Sequence, residues 1–583
     1  MSTETVSSGY DEKKESWVPM VAIALAQVLM SFNVASLPVA LGGMVASFNV
    51  PPTTVATGIV MYSLSVAAFV MLGAKLNQRF GSLRVFRFSV LLFGIAQVMM
   101  TLSPNALVMI CAQGVSGLVA AALVPALVAL IAENYRGTQQ ATALGTLGSA
   151  RAAAGVSAFL IGGVLGTYIG WRPAFAIMVA LSAVIYFLSF RLKPDHGRPE
   201  VNIDIVGVFL SSAAIVLFSF GFNNLNRWGL GAARETAPFD IFGASPAPFM
   251  ILLGVALGQA FVVWCRRREQ EGKTPLLDLD VVSSPTEKAA VIAMFSVVAL
   301  EAMLNFSVPL YIQIVQGNTP LATAIAMMPF NLSVFFSAML VVRFYKTLTP
   351  RRIGRYGFMI CTVALLWLSF VVSNNWNEFP VLIGLVTFGI GQGALVTLVF
   401  NVLVSASPKE LAGDVGSLRG TTNNLANAIG TAIAGALLVG LLSANVIRGV
   451  AENPVLTQEL QSQVNLDSVN FISNDRLLTV LSGTSATPEQ VKEAMRVNSE
   501  ARLNALRAGL LLMSLVSLLS ILPAGRLPDY LPGEIPDPQT APVKGVVAKA
   551  ASAKQAPPKE ATSEEGAPEV GPKKAAPEKA TTE

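Results

Sequence analysis

The chain has 583 residues, of which 53% are hydrophobic and only 13% charged, with a formal net charge of +5 and a mean hydropathy of +0.60. Soluble domains carry about 25% charged residues, so this balance excludes an ordinary soluble protein and describes a polytopic membrane protein in a lipid bilayer. The Lys and Arg are spread through short loops rather than clustered on one element, which excludes a nucleic-acid-binding face.

Residues 1–17 are polar and lack the basic and short apolar regions of a signal peptide, so an uncleaved cytoplasmic N-terminus is expected. Apolar runs of about 20 residues then predict roughly fourteen membrane spans. They lie near 18–44, 54–76, 86–103, 105–132, 141–168, 171–190, 204–222 and 247–265, and continue at 289–315, 320–344, 354–373, 379–405, 417–444 and 505–523. With the N-terminus inside, the inner loops hold Arg79, Arg84, Arg87, Arg136, Arg191, Lys193 and Arg198, then Arg266, Arg267, Arg268, Lys273, Lys346, Arg351, Arg352 and Arg355. The outer loops hold little beyond Arg172, Arg227 and Arg234. This positive-inside bias places both termini in the cytoplasm.

The fold expected is all-α: a six-helix bundle at 18–190, two inserted spans at 204–265, and a second six-helix bundle at 289–525. The polar stretch 445–501 falls outside the membrane, with a helical start at Pro488 that runs into the last span. Residues 532–583 are dominated by Ala, Pro, Lys and Glu, and a disordered cytoplasmic tail is expected there. The basic turn after the second span (76–88) recurs after the tenth (343–358), an internal symmetry typical of transporters built from repeats.

The run from Lys288 to Gln316 carries Glu301 near its centre and Asn305 one turn on, on the same side. An ionisable residue at that depth costs roughly 2–4 kcal/mol or more, and such groups normally face a bundle interior or wet cavity. The expectation is a proton-coupling carboxyl; the alternative is a carboxyl that merely bonds a neighbouring helix. Arg151 is the second charge expected inside the membrane. Asn33, Gln113, Asn305, Gln313, Asn331, Gln392 and Asn401 form the uncharged polar set from which a substrate cavity would be lined, although residues of this kind more often bond a neighbouring helix than a ligand. Met30, Met294, Met303, Met327 and Met328 lie in the same spans, and a flexible apolar cavity suits lipophilic or amphipathic cargo.

Several motifs occur in order along residues 18–525. The turn Lys75-Leu76-Asn77-Gln78-Arg79-Phe80-Gly81 comes first, followed by Gln113 to Gly117 with Pro125, and then Gly162-Gly163 before Gly170-Trp171-Arg172. Asp204 to Gly207, Pro275-Leu276-Leu277, Pro309 to Gln313 and Pro329 complete the series. In this set the chain resembles the major facilitator superfamily, specifically its fourteen-span drug:proton antiporter branch. The resemblance implies that family's fold and a secondary-active exporter, with Arg79, Gly81, Gly117, Pro125, Gly162, Gly163 and Asp204 as structural motif positions.

The chain departs from the pattern where coupling residues are usual. Gln78 stands for the loop Asp and Ala74 for its opening Gly, while Gln113 replaces the fourth span's Arg, Ala158-Phe159 a Gly-Pro, and Leu29 a common acid. Arg151 then either takes over from the missing Arg on the neighbouring span or is structural, neutralised by helix carbonyls.

The three cysteines (Cys111, Cys265, Cys361) have no metal spacing, and His196 is the only histidine. No phosphate-binding G-x-x-x-x-G-K-[ST] loop is present. No enzyme activity, metal or cofactor is therefore expected. The predicted function is export of lipophilic or amphipathic small molecules across the cell membrane, coupled to protons. The alternatives are an uncoupled facilitator or mover of lipid-like substrates, and a non-transporting membrane receptor or scaffold.

Overall fold

The computed structural model describes residues 16–529, apart from 136, 194, 196, 283, 345–346, 374–378, 406–411, 452, 456–473 and 484–485. The tail expected at 532–583, His196 and nearly all of 1–17 lie outside the described residues.

The helices of the first half are Val18–Phe48 (α1), Pro52–Phe80 (α2), Ser82–Thr101 (α3), Ala106–Asn134 (α4), Gly137–Tyr168 (α5) and Arg172–Leu188 (α6). Ile205–Trp228 (α7) and Pro246–Gln270 (α8) follow. The second half contains Pro285–Leu310 (α9), Pro320–Phe344 (α10), Pro350–Val371 (α11), Phe379–Ser405 (α12), Ala412–Ala451 (α13), the short Asn474–Ser482 (α14) and Pro488–Ala524 (α15). All but α14 are long and apolar enough to cross a membrane, which makes fourteen among the described residues. A π turn, Tyr311–Val315, extends α9.

Local chemistry sets the starts of these helices. Proline occupies the first turn of α2, α8, α9, α11 and α15, where its missing N–H costs nothing. Ser284 with Glu287 and Thr487 with Gln490 form reciprocal capping boxes at α9 and α15. Asn105 caps α4 by accepting from the Val108 N–H at 3.0 Å.

The stretch expected outside the membrane at 445–501 is helical at both ends. α13 runs on to Ala451 and α15 begins at Pro488. Polar sequence continues as helix here because the Thr487 cap nucleates it. The Arg496 pairs with Glu493 and Glu500, at i,i+3 and i,i+4, then support its exposed face.

The two halves repeat one packing scheme. α2 lies on α4, α1 on α5, α3 on α4 and α6, and α1 on α6. In the second half α10 lies on α12, α9 on α13, α11 on α12 and α15, and α9 on α15. Across the halves α2 meets α13 and α5 meets α10, a pairing that maps onto itself when the halves are exchanged. The inserted α7 packs on α8 and also on both α2 and α13. Its Ser212 hydroxyl donates to the Ala68 carbonyl at 2.8 Å.

The fold has two ends. The basic end holds the α2–α3 turn with Arg79 and Arg84, and the far end is where α1 finishes and α2 begins. At the far end the Gln313 side chain in the π turn accepts from the Gly42 N–H at 2.7 Å and donates to the Pro38 carbonyl at 3.2 Å. Beside it the Thr167 hydroxyl accepts from the Leu321 N–H at 3.0 Å. Toward the basic end Lys75 of α2 pairs with Asp414 of α13 at 3.8 Å. The cross-half contacts at each end enclose a middle zone, where the candidate site lies.

Candidate substrate and proton site

Glu301 sits about 24 Å along α9 at 1.5 Å per residue, partly exposed within an otherwise buried run from Val297 to Leu304. Arg151 of α5 lies within electrostatic reach of it and of Arg419 on α13. Among the described residues Arg151 and Glu301 do not close to an ion pair. Arg151 is itself exposed and Glu301 partly so. One turn beyond Glu301, Asn305 Oδ1 is buried with no hydrogen-bond partner, an acceptor available to a protonated carboxyl or a ligand donor.

The remaining polar residues divide differently from the cavity lining expected. Asn33 and Gln113 are both fully buried and bonded to each other, Asn33 Nδ2 donating at 2.9 Å and Gln113 Nε2 at 3.3 Å. They lock α1 to α4 and face no opening. Gln313 is a far-end bridge between α9 and α1. Gln392 is fully buried and donates to the Val297 carbonyl on α9 at 2.9 Å. Asn331 is partly exposed and donates to the Met327 carbonyl of its own helix at 3.0 Å. The Asn401 side chain lies outside the described residues. Of the expected set, Glu301, Asn305 and Asn331 are the partly exposed members, and Arg151 is exposed.

The motif positions build the frame around this zone. Gly117 lets α4 approach α2 so closely that a Cβ there would lie 2.2 Å from the Tyr62 carbonyl oxygen. Pro125 lies further along the same helix. Gly162 faces Val39 of α1, and Gly163 admits Ala324 of α10 at the far end. Gly81 turns the chain between α2 and α3 at φ +90°, where a side chain would be strained. Arg79 donates weakly to the Val201 carbonyl at 3.5 Å. Asp204 caps α7 through the Gly207 N–H at 3.0 Å, accepts from Trp264 Nε1 at 3.0 and 3.1 Å, and lies 3.6 Å from Arg268. That carboxylate ties the start of α7 to the end of α8.

Four features escaped the sequence reading. Arg419 and Arg502 add to the two helix charges expected, and each lies at the edge of a span drawn from hydropathy. Lys75 and Asp414 link the halves across 339 positions (414 minus 75), with no local spacing to announce it. Asp195 accepts from the Ser82 and Leu83 N–H groups and so caps α3.

Comparison with known proteins agrees with this architecture. The sequence profile of the Major Facilitator Superfamily matches residues 23–431. The multidrug resistance protein Stp of Mycobacterium tuberculosis (strain CDC 1551 / Oshkosh) is 25% identical over 424 residues, covering 71% of this chain and 74% of that protein. The multidrug efflux pump LfrA of Mycolicibacterium smegmatis is 22% identical over 434 residues, with 74% and 82% covered. The tetracenomycin C resistance and export protein of Streptomyces glaucescens is 24% identical over 382 residues, with 65% and 67% covered. A similar solved structure is an inward-facing, unoccupied bacterial homologue of the human lysosomal transporter Spinster. It has a TM-score of 0.58 and 14% identity, and covers 87% of this chain and 97% of that one.

Proposed function

The chain belongs to the Major Facilitator Superfamily, and from that premise we propose that it exports lipophilic or amphipathic small molecules with proton coupling through Glu301. The observation that carries the coupling is the placement of this carboxyl. Among the described residues Glu301 is the only carboxylate set deep in an apolar helix run, and it is partly exposed, with Arg151 within electrostatic reach. Asn305 offers it a free acceptor one turn away. A carboxyl that exchanges a proton with each side in turn can link proton entry to cargo exit if the two seams between the halves open alternately.

The cargo class follows from the chemistry of the helices and is supported by the relatives. The spans around Glu301 carry apolar and Met side chains with few charges, a composition that recognises shape and apolarity more than defined polar groups. Multidrug and antibiotic exporters are among the relatives. The basic end, with its excess of Arg and Lys, faces the cytoplasm and both termini lie on that side of the plasma membrane. A thiol placed at the exposed Leu478 on α14 should accordingly react with an impermeant reagent from outside the cell.

The test is efflux of a lipophilic cation or antibiotic from proteoliposomes, with and without an imposed pH gradient. Gradient-dependent efflux is expected. A neutral Gln113 at the position that usually carries the coupling Arg, bonded here to Asn33, favours a second reading, an uncoupled facilitator, and efflux indifferent to the gradient would establish that instead.

A further inference from the structure

Among the described residues the largest side chain fully enclosed by the protein is Arg502 of α15, 1% exposed. Its Nε, Nη1 and Nη2 atoms are all sealed and have no hydrogen-bond partner. A guanidinium keeps its charge and offers five donors and no acceptor, so a position like this needs an acceptor brought to it.

Among the described residues the chain does not supply one. Glu500 stands two residues away, on another face of α15, and pairs with Arg496 at 2.8 Å. Glu493 is held by Arg496 and by Asn453. Arg507 spends Nε and Nη2 on the Val372 carbonyl that ends α11. Within electrostatic reach of Arg502 lies Tyr311, a neutral phenol.

The place of this residue in the fold is specific. Val497 faces Gly449 and Gly509 faces Leu438, so Arg502 lies level with the last turns of α13 at the far end. α15 packs there on the π turn. That turn carries both Tyr311 and Gln313, and Gln313 closes the far-end seam onto Gly42 and Pro38. π turns are local irregularities that recur at functional positions.

We infer that Arg502 is the anion-binding residue of the far-end-open state, taking the paired oxygens of a carboxylate or phosphate group that the open seam admits. Arg–carboxylate and Arg–phosphate pairs of this kind are bidentate and charge-assisted. Closure without the anion strands the guanidinium, so the anion holds the far end open and its departure permits closure. The inference rests on the alternating-access reading for the motion alone, and its test follows the seam rather than transport.

The full chain is reconstituted in phosphatidylcholine nanodiscs with Cys111→Ser, which removes the exposed cysteine. Ala324→Cys then reports the seam, because Ala324 is fully buried against Gly163 when the seam is closed. Inorganic phosphate or acetate should raise its labelling by a water-soluble maleimide several-fold and saturably. Arg502→Met should label slowly and ignore both anions, and Arg502→Lys, which keeps the charge but loses the fork, should respond only at higher concentration.

A response to soluble anions in phosphatidylcholine assigns a free anion as the ligand. A response that requires phosphatidylglycerol in the nanodisc assigns a lipid headgroup. No response of the Arg502 protein to phosphate, acetate or phosphatidylglycerol overturns the inference, as does an equal response in Arg502→Met. An Arg502→Met protein that cannot be purified folded also overturns it, since the guanidinium would then be holding the fold together.

Discussion

Asn33 and Gln113 hold each other through two amide hydrogen bonds, 2.9 and 3.3 Å long, at a fully buried contact between α1 and α4. Each side chain supplies the donor and the acceptor that the other needs, so no charge and no cavity is required at this point of the bundle. Gln113→Leu should leave Asn33 unsatisfied and destabilise the protein by about 1–3 kcal/mol. The double variant Asn33→Leu/Gln113→Leu removes both polar groups and should recover most of that loss. Thermal unfolding of the two singles and the double in detergent, read as a mutant cycle, checks this; additive losses would sink it.

The helices were legible because a bilayer leaves few options: a run of about 20 apolar residues has to satisfy its backbone internally and becomes a helix. The pairings were not legible. Asn33 and Gln113 are 80 positions apart, and neither residue type names its partner. Arg502 was hidden by its setting, because hydropathy started the last span at 505 and assigned the preceding polar turns to an outer stretch. The helix does run from Pro488 as the sequence suggests, but nothing in the sequence says that Arg502 on it is buried. Arg419 escaped in the same way, two residues inside the expected start of its span at 417. Glu301 was legible because a lone carboxylate in an apolar run has no cheap explanation.

Lys75 and Asp414 cross from one half to the other at 3.8 Å, with 12% and 19% of their side chains exposed. A partly screened pair is worth about 1 kcal/mol or less to global stability. Spent on one conformation alone, 1 kcal/mol shifts a two-state equilibrium about fivefold. Lys75→Gln or Asp414→Asn should therefore leave the melting temperature nearly unchanged. Each should raise the labelling of a thiol at Gly420, which faces Val70 across the seam, by up to about fivefold. The exchanged pair Lys75→Asp/Asp414→Lys should bring labelling back. Labelling that stays raised in the exchanged protein would show that these charges act independently.

Gly117 and Gly155 give opposite expectations for one chemical change. A Cβ on Gly117 would sit 2.2 Å from the Tyr62 carbonyl oxygen and 2.9 Å from Ser65 Cβ, and the first of these is backbone that cannot rotate away. Gly117→Ala must therefore push α4 off α2, at a cost of about 2–3 kcal/mol or more. Gly155 has nothing within 4 Å of its Cβ position. Gly155→Ala should be neutral or stabilise by up to about 1 kcal/mol through helix propensity. Size-exclusion profiles and unfolding midpoints of the two variants would settle the point, and equal behaviour would refute the packing assigned to Gly117.

Glu301 and Glu287 are carboxylates on one helix with different work to do, and that contrast isolates coupling from stability. Glu287 lies at the start of α9 and closes a capping box, accepting from the Ser284 N–H at 2.9 Å. Its role is to satisfy a helix end, worth about 0.5–2 kcal/mol. Glu301 is deep in the apolar run, has no ion pair to Arg151, and is partly exposed. A group there that never ionises could be replaced by an amide of the same shape without consequence for proton-driven transport. A group that takes up a proton from one side and releases it to the other could not. Glu301→Gln should thus reconstitute as folded protein, still move cargo down its own gradient, and lose all response to an imposed pH gradient. Glu287→Gln should melt slightly lower and keep the full gradient response. If Glu301→Gln and the unmodified protein respond equally to the gradient, Glu301 is a structural polar residue and the uncoupled facilitator becomes the better description of this transporter.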